Sequence, residues 1–291
     1  GRPTTLVDAR PHAEFRFLSL PGARNHAGTE LALRRFEADE ADHLWAINCF
    51  SRTRGIVGAT TLRLLGRAPD AVFLEDGVMA WGLQGAPTVQ NAAPDDELPP
   101  ESPEVLRRIA DDLIGRFGLP LVDAAQLARW RDDDARTLYV FDVRPAADPA
   151  LSGTDVRQVP GGQLLMHFEN LVGTRGARIV LLDDQAHRLR AAITSFWLTQ
   201  LNQAEVYILD GELAPDQAPP APGTTVRDAP VPIAADALAR LRSDGVVTVI
   251  DVGPSLDYER GHLPGALYML PASLAPLAEH AAPGRTLVFT S

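Results

Sequence analysis

A single cysteine, Cys49, lies in a segment whose residue types could support thiol chemistry. It is the only cysteine among 291 residues. An apolar run at residues 44–47 predicts a short buried strand before it, and apolar residues at helical spacing predict a helix over residues 56–65. Cys49 therefore falls at a strand-to-helix turn, where free backbone N–H groups and the helix dipole favour negative charge. With Arg52 and Arg54 close by, these features favour the thiolate, which is the nucleophilic form of cysteine.

A second interpretation of Cys49 is purely structural. A free cysteine most often behaves as a small buried apolar side chain. Arg52 and Arg54 argue against that role here, because guanidinium groups are poor neighbours for a thiol that only fills a core. We therefore predict that Cys49 is a catalytic nucleophile.

Composition limits the ligands and the setting. The net charge of −11 disfavours nucleic acid as a partner. The chain has no lysine, so all 27 cations are arginine, and a bound anion must be met by arginine or by backbone N–H groups. One cysteine forms no intramolecular disulfide, which favours a reducing, cytoplasmic location. The sequence has no cluster of Cys and His residues that would predict a metal site, and we expect no cofactor. No apolar run approaches the ~20 residues of a membrane span.

Strand and helix patterns alternate along the chain, which predicts an α/β protein with parallel sheets. We predict three domains, at residues 1–89, 103–213 and 224–291. Segments rich in proline at residues 90–104 and 214–223 are interpreted as solvated linkers. A helix is also expected over residues 31–37.

One pattern recurs three times: a strand ends in aspartate, and a Pro-Gly turn follows. The aspartate and the proline are 13 residues apart for Asp8 and for Asp251, and 18 apart for Asp142. If Arg54 is matched with Arg190, Gln185 falls opposite Cys49 in the second copy. The third copy ends one residue before its own nucleophile position, and the first copy lacks the helix that precedes the strand in the other two. We therefore expect the sequence to be a piece of a longer array.

These motifs resemble rhodanese domains. The resemblance is carried by residues 8–11, 20–23, 49–55 and 74–77, and by Gly261-His262-Leu263-Pro264-Gly265-Ala266 in the third copy. It implies tandem rhodanese-like domains, each a small parallel sheet with helices on both faces. It also implies sulfurtransferase activity without a cofactor, in which sulfane sulfur passes from a small anionic donor such as thiosulfate to a thiol or cyanide through a persulfide on Cys49.

The same resemblance assigns the site residues. Cys49 would be the nucleophile, and Asp8 and Arg10 at the end of the first strand would support it. The donor would be bound by the loop residues Phe50, Ser51, Arg52, Thr53, Arg54 and Gly55. In the second copy, Asp183 and Asp184 would repel an anionic donor, and His187 and Arg188 are expected in an exposed structural loop.

Other functions stay open. The cysteine-free second domain suggests a scaffold, and the second and third domains could bind a protein partner or self-associate. The whole chain could also be a non-catalytic binding or redox-sensing module. A phosphatase or arsenate reductase of the same fold is disfavoured, because four residues separate Cys49 from Arg54 where those enzymes have five.

Overall fold

The computed structural model describes residues 2–36, 42–93, 98–146, 148–221, 231–270 and 285–290. The chain divides into two compact units, Gly1–Gly223 and Thr224–Ser291. The first unit contains two parallel sheets and the second unit contains one. This arrangement confirms the predicted α/β class, whereas the three-domain boundaries stay a prediction.

The first sheet has the strand order β2-β1-β3-β4, and all its neighbours are parallel. Its central strands are buried because their apolar residues face helices that cross between parallel strands. Its strands are β1 (Thr4–Asp8), β2 (Arg24–Asn25), β3 (Leu44–Asn48) and β4 (Val72–Phe73), and its helices are α1 (His12–Phe17), α2 (Thr53–Leu64) and α3 (Gly77–Leu83).

The second sheet has five parallel strands in the order β5-β9-β8-β6-β7. Its central strand β8 is almost wholly buried, as a run of consecutive apolar residues requires. The strands are β5 (Leu121–Val122), β6 (Leu138–Asp142), β7 (Val156–Gln158), β8 (Arg178–Leu182) and β9 (Glu205–Leu209). The helices are α4 (Pro103–Phe117), α5 (Ala124–Arg131), α6 (Gly161–Met166), α7 (Phe168–Leu171) and α8 (Leu189–Leu201).

Two local predictions were wrong. The helix expected over residues 31–37 is a 3-10 turn at Glu30–Leu33, followed by extended backbone, and residue 37 lies outside the described residues. The linker predicted at residues 90–104 is only partly a solvated connector. Leu98 is buried, the Glu101 N–H donates to the Leu33 carbonyl, and α4 already begins at Pro103, while residues 94–97 are not described.

The longest helix of the described residues, α4, carries sequence signals that the prediction had missed. The Ser102 hydroxyl accepts a hydrogen bond from the Val105 N–H, and Pro103 occupies the first turn. Gly118 ends the helix in the left-handed conformation, and Leu106, Ala110 and Leu113 form its buried stripe. These are the usual start and stop signals of an amphipathic helix.

The two sheets of the first unit are joined by contacts between their helices. The Trp197 indole N–H donates to the Thr61 hydroxyl at 2.9 Å. Arg190 donates two hydrogen bonds to Glu30, at 2.6 and 2.9 Å. An apolar core continues from one sheet to the other. The first unit is therefore one packed body built on two sheets.

The second unit is a three-stranded parallel sheet in the order β11-β10-β12. Val247, Val249 and Ala266 form its small core. Its elements are α9 (Ala235–Ser243), β10 (Val247–Asp251), α10 (Ser255–Arg260), β11 (Leu267–Tyr268) and β12 (Thr286–Thr290). No helix in the described part of the chain is long and apolar enough to cross a membrane.

Candidate active site

Cys49 follows directly after β3, at the carboxyl end of the first sheet. Its side chain is free and only 3% of the residue is exposed. The residue before it is fixed to the neighbouring strand, since the Ala9 N–H donates to the Asn48 carbonyl. Four residues later the chain enters α2. The predicted strand-to-helix turn is therefore present, with α2 beginning three residues earlier than its apolar spacing indicated.

The carbonyl groups of the Cys49 loop point to a neighbouring helix. The Val78 N–H donates to the Cys49 carbonyl at 3.0 Å, and the Met79 N–H donates to the Phe50 carbonyl at 2.9 Å. Gly77, with φ of +54°, lies so close that a Cβ atom there would overlap the same carbonyls. The first turn of α3 thus fixes the shape of the loop, and glycine is required at position 77.

The N–H groups of the loop remain available. Among the described residues, the backbone N–H groups of residues 50–55 have no protein acceptor. Those of Thr53, Arg54 and Gly55 belong to the first turn of α2, where N–H groups have no partner within the helix. The carbonyl groups of this loop are hydrogen-bonded to α3, whereas its N–H groups are free. Such a loop is suited to bind an anion beside Cys49.

Arg54 is held by a carboxylate that the sequence analysis had not identified. Its guanidinium donates to both oxygens of Glu14, at 2.7 and 2.8 Å. Burial disfavours the charged guanidinium, but the hydrogen bonds and charge of Glu14 outweigh it and raise the pKa of Arg54, with smaller contributions from Cys49 and Asp8. The same hydrogen bonds lower the pKa of Glu14. Arg54 is therefore a fixed cation at the end of the loop that begins with Cys49.

Arg52 is placed differently. It donates to Asp76 at 2.8 Å, and its side chain is 60% exposed. An exposed pair of this kind contributes little to stability and is easily rearranged. Of the two predicted anion-binding arginines, Arg54 is the ordered one and Arg52 lies at the surface of the loop.

Asp8 and Arg10, the predicted supporting residues, form a buried network under the loop. Arg10 donates to both oxygens of Asp8, at 2.9 and 2.7 Å, and also to the Leu18 carbonyl. The Asn48 side-chain amide donates to Asp8 at 3.0 Å. Because Asn48 directly precedes Cys49, this network fixes the start of the Cys49 loop. Asp142 forms the same pair with Arg144 in the second sheet, at 2.8 and 2.5 Å.

Strand register corrects the alignment of the second domain. Asp8 pairs with Asn48, and Asp142 pairs with Leu182, so the residue after the strand is Cys49 in the first sheet and Asp183 in the second. Gln185 is not the counterpart of Cys49. The loop from β8 to α8 has six residues where the loop from β3 to α2 has four, and this difference shifted the alignment by two.

The second loop is also buried where exposure was expected. His187 and Arg188 are 6% and 7% exposed. The Leu189 N–H donates to Nδ1 of His187, and burial lowers the pKa of this imidazole. Arg188 donates to Asp210 at 2.5 Å and to Asp111 at 3.3 Å. The prediction that His187 and Arg188 are exposed was wrong. Both side chains are turned inward, where they make these hydrogen bonds.

Glu14, Asn48 and Asp76 are the contacts of the site that sequence reasoning missed. Glu14 lies 40 residues from Arg54, and Asp76 lies 24 residues from Arg52. No local pattern marks an ion pair across such distances. The only local signal was for Asn48, since it precedes the cysteine.

Comparison with solved structures places this geometry in a known group. A thiosulfate sulfurtransferase from Pseudomonas aeruginosa is similar to the chain with a TM-score of 0.79 and 30% sequence identity, covering 99% of this chain and 55% of that protein. The chain therefore spans about half the length of that relative. No family model and no curated protein matches the sequence.

Two further structures are similar at much lower scores. One is the 3-mercaptopyruvate sulfotransferase SseA from Escherichia coli, with a TM-score of 0.30, 17% identity, and coverage of 72% of this chain and 93% of that one. The other is a probable thiosulfate sulfurtransferase, with a TM-score of 0.27, 19% identity, and coverage of 75% and 97%.

The parallel sheets, with a thiol-bearing loop of free N–H groups at the carboxyl end of a strand, define an α/β protein with a candidate cysteine site. Together with the likeness to the Pseudomonas protein, they show that the chain is rhodanese-like, as the sequence motifs predicted.

Proposed function

We propose that the protein transfers sulfane sulfur through a persulfide on Cys49, with thiosulfate or a similar anion as donor and a thiol or cyanide as acceptor. The observation that supports this most directly is the loop of free N–H groups, residues 50–55, that begins beside Cys49. A negatively charged donor placed there meets backbone dipoles and the N-terminus of α2.

The proposed reaction has two steps. The Cys49 thiolate attacks the outer sulfur of thiosulfate, the bond between the two sulfurs of thiosulfate breaks, and sulfite leaves with the electron pair. The acceptor then takes the outer sulfur of the persulfide and the Cys49 thiolate is restored. Covalent catalysis of this kind divides one transfer into two easier steps, and a thiolate needs no general base.

The site residues have separate proposed roles. The N–H groups of residues 50–55 hold the donor, Arg54 supplies the ordered positive charge, and Arg52 supplies charge at the loop surface. Asp8 and Arg10 fix the end of β1 and, through Asn48, the start of the loop. In the second domain, the carboxylate of Asp183 stands where the thiolate would be, so we assign that domain no sulfur transfer and propose that it serves as a scaffold.

The test is the intact mass of the protein after exposure to thiosulfate, followed by removal of the donor. We expect a gain of one sulfur atom in the wild type, loss of that gain on addition of cyanide, and no gain in Cys49→Ser with an unchanged circular dichroism spectrum. If the wild type gains no sulfur, the proposal is wrong and a binding or redox-sensing role is favoured. Turnover of p-nitrophenyl phosphate would instead favour the phosphatase.

A further inference from the structure

A cavity of about 110 Å³ lies within the first unit, between α2 on one side and α6 and α8 on the other. We call it the α2 cavity. Its walls are mainly apolar, from Val57, Leu165, Met166, Trp197 and Leu201. Met166 and Leu201, two of these lining residues, are partly exposed at the protein surface.

The indole group in the apolar wall of this cavity already has its hydrogen-bond partner. The indole N–H of Trp197 donates to the hydroxyl of Thr61, which lines the same wall. Gly28 and Gly162 bring the two backbones into contact at another wall, since a Cβ atom on Gly162 would lie 2.8 Å from the Gly28 Cα. Away from the end formed by Thr53 and Arg54, a polar ligand would find few groups to pair with, whereas a hydrocarbon group needs none.

The α2 cavity begins at the helix turn that follows Cys49. Thr53 and Arg54, the first two residues of α2, line its end. Arg54 is also only five residues from Cys49 along the chain, at the end of the loop that begins with Cys49. Arg54 thus connects the cavity with the sulfur-carrying residue.

We propose that the α2 cavity binds the hydrocarbon chain of a small alkyl thiol that accepts sulfur from Cys49. This inference rests on the proposed function, because it names the acceptor of that same site. An apolar cavity of roughly 150 Å³ holds a molecule the size of benzene. The α2 cavity is somewhat smaller and therefore fits a short alkyl chain, with the thiol group at the Arg54 end.

The transfer balances without a further reactant. The sulfur of the alkyl thiolate bonds to the outer sulfur of the Cys49 persulfide, and the bond from that sulfur to Cys49 Sγ breaks. The electron pair stays on Cys49 Sγ, which returns to the thiolate. The product is an alkyl persulfide, whose outer sulfur carries the proton that the alkyl thiol released.

The experiment compares ethanethiol, 1-propanethiol and 1-butanethiol as acceptors, with thiosulfate as donor and cyanide as the reference acceptor. Burial of each added methylene should lower KM about fourfold. A KM that does not change along the series would overturn the inference.

Leu165→Phe fills the cavity from the α6 side, and we expect it to abolish the dependence on chain length. It should also lower the preference for 1-butanethiol over cyanide by about tenfold or more. The matched control is Leu83→Phe, which makes the same substitution at an exposed position of α3 outside the cavity and should leave the preference unchanged. Equal preferences in the two variants would contradict the inference.

A binding measurement separates this inference from the proposed function. Cys49→Ser carries no persulfide, so 1-butanethiol can be titrated into it while the fluorescence of Trp197 is followed. A saturable change that is lost in Cys49→Ser/Leu165→Phe supports the cavity even if the wild type gains no sulfur from thiosulfate. Absence of any Trp197 response, with Trp197→Phe as the blank, would overturn the α2 cavity while leaving sulfur transfer to cyanide intact.

Discussion

Asp183 occupies the position in the second sheet that Cys49 occupies in the first. Each is the first residue after a central strand whose last residue pairs with an aspartate, Asp142 or Asp8. The Asp183 carboxylate accepts N–H groups from Asp184 and Ala191 and lies 3.5 Å from Arg190. One loop therefore leaves its N–H groups free after a thiol, whereas in the other loop the N–H groups of residues 184 and 186–188 are bonded within the loop itself.

Arg54 and Glu14 provide the first prediction. Arg54→Ala should reduce kcat/KM for thiosulfate about tenfold to a hundredfold, because a charge-assisted hydrogen bond is worth roughly 1.5–3 kcal/mol. Glu14→Gln should lower KM for thiosulfate, since the guanidinium is no longer shared with a carboxylate. Steady-state kinetics with cyanide as acceptor measures both. Arg52→Ala is the control, and an effect there as large as that of Arg54→Ala would contradict the assignment.

The buried network of Asp8, Arg10 and Asn48 provides the second prediction, which concerns stability. Asp8→Asn leaves the Arg10 guanidinium, which is 2% exposed, without its carboxylate. Breaking such a pair costs about 3–5 kcal/mol of unfolding free energy. In Asp142→Asn, Arg144 also loses its carboxylate partner, but its side chain is 29% exposed and can be hydrated. We therefore expect a smaller loss of unfolding free energy in this variant. Urea unfolding compares the two variants, and equal losses would show that burial of the arginine is not the cause.

The ion pair between the two sheets provides the third. Arg190 and Glu30 are 13% and 20% exposed. Glu30→Gln should destabilise the first unit by about 2 kcal/mol, because two hydrogen bonds to a charged group are weakened in a partly buried place. Thermal unfolding measures the loss. Asp70→Asn removes a half-exposed partner of Arg2 and should cause no measurable change. An unchanged unfolding temperature in Glu30→Gln would mean that this ion pair does not help to join the sheets.

His187 provides the fourth prediction, which concerns pH. Burial lowers the pKa of this imidazole in the folded protein below its ordinary value of 6.5. The unfolded chain then binds more protons, so stability is fully present above pH 6.5 and falls as the pH decreases through the folded-state pKa. In His187→Gln this part of the pH dependence should disappear. Unfolding free energies measured from pH 8 downward test it, and an identical slope in both proteins would contradict it.

The sequence alone determined the class of the fold and singled out Cys49 as the candidate nucleophile. Alternating strand and helix patterns predicted parallel sheets, because both periodicities are local properties of the chain. Cys49 stood out since it is the only cysteine and has arginines nearby. The missed helix α4 could also have been predicted, because Ser102, Pro103 and Gly118 mark its ends.

Only the tertiary structure decided which groups surround Cys49 and its counterpart. Glu14 reaches Arg54 across 40 residues, and Glu30 reaches Arg190 across 160. Residue counting placed Gln185 opposite Cys49, whereas the pairing of β6 with β8 places Asp183 there. Such contacts depend on which strands pair and how the helices pack. Strand pairing and helix packing are decided by apolar surfaces that are far apart in the sequence and become buried against each other, so no local pattern reveals them.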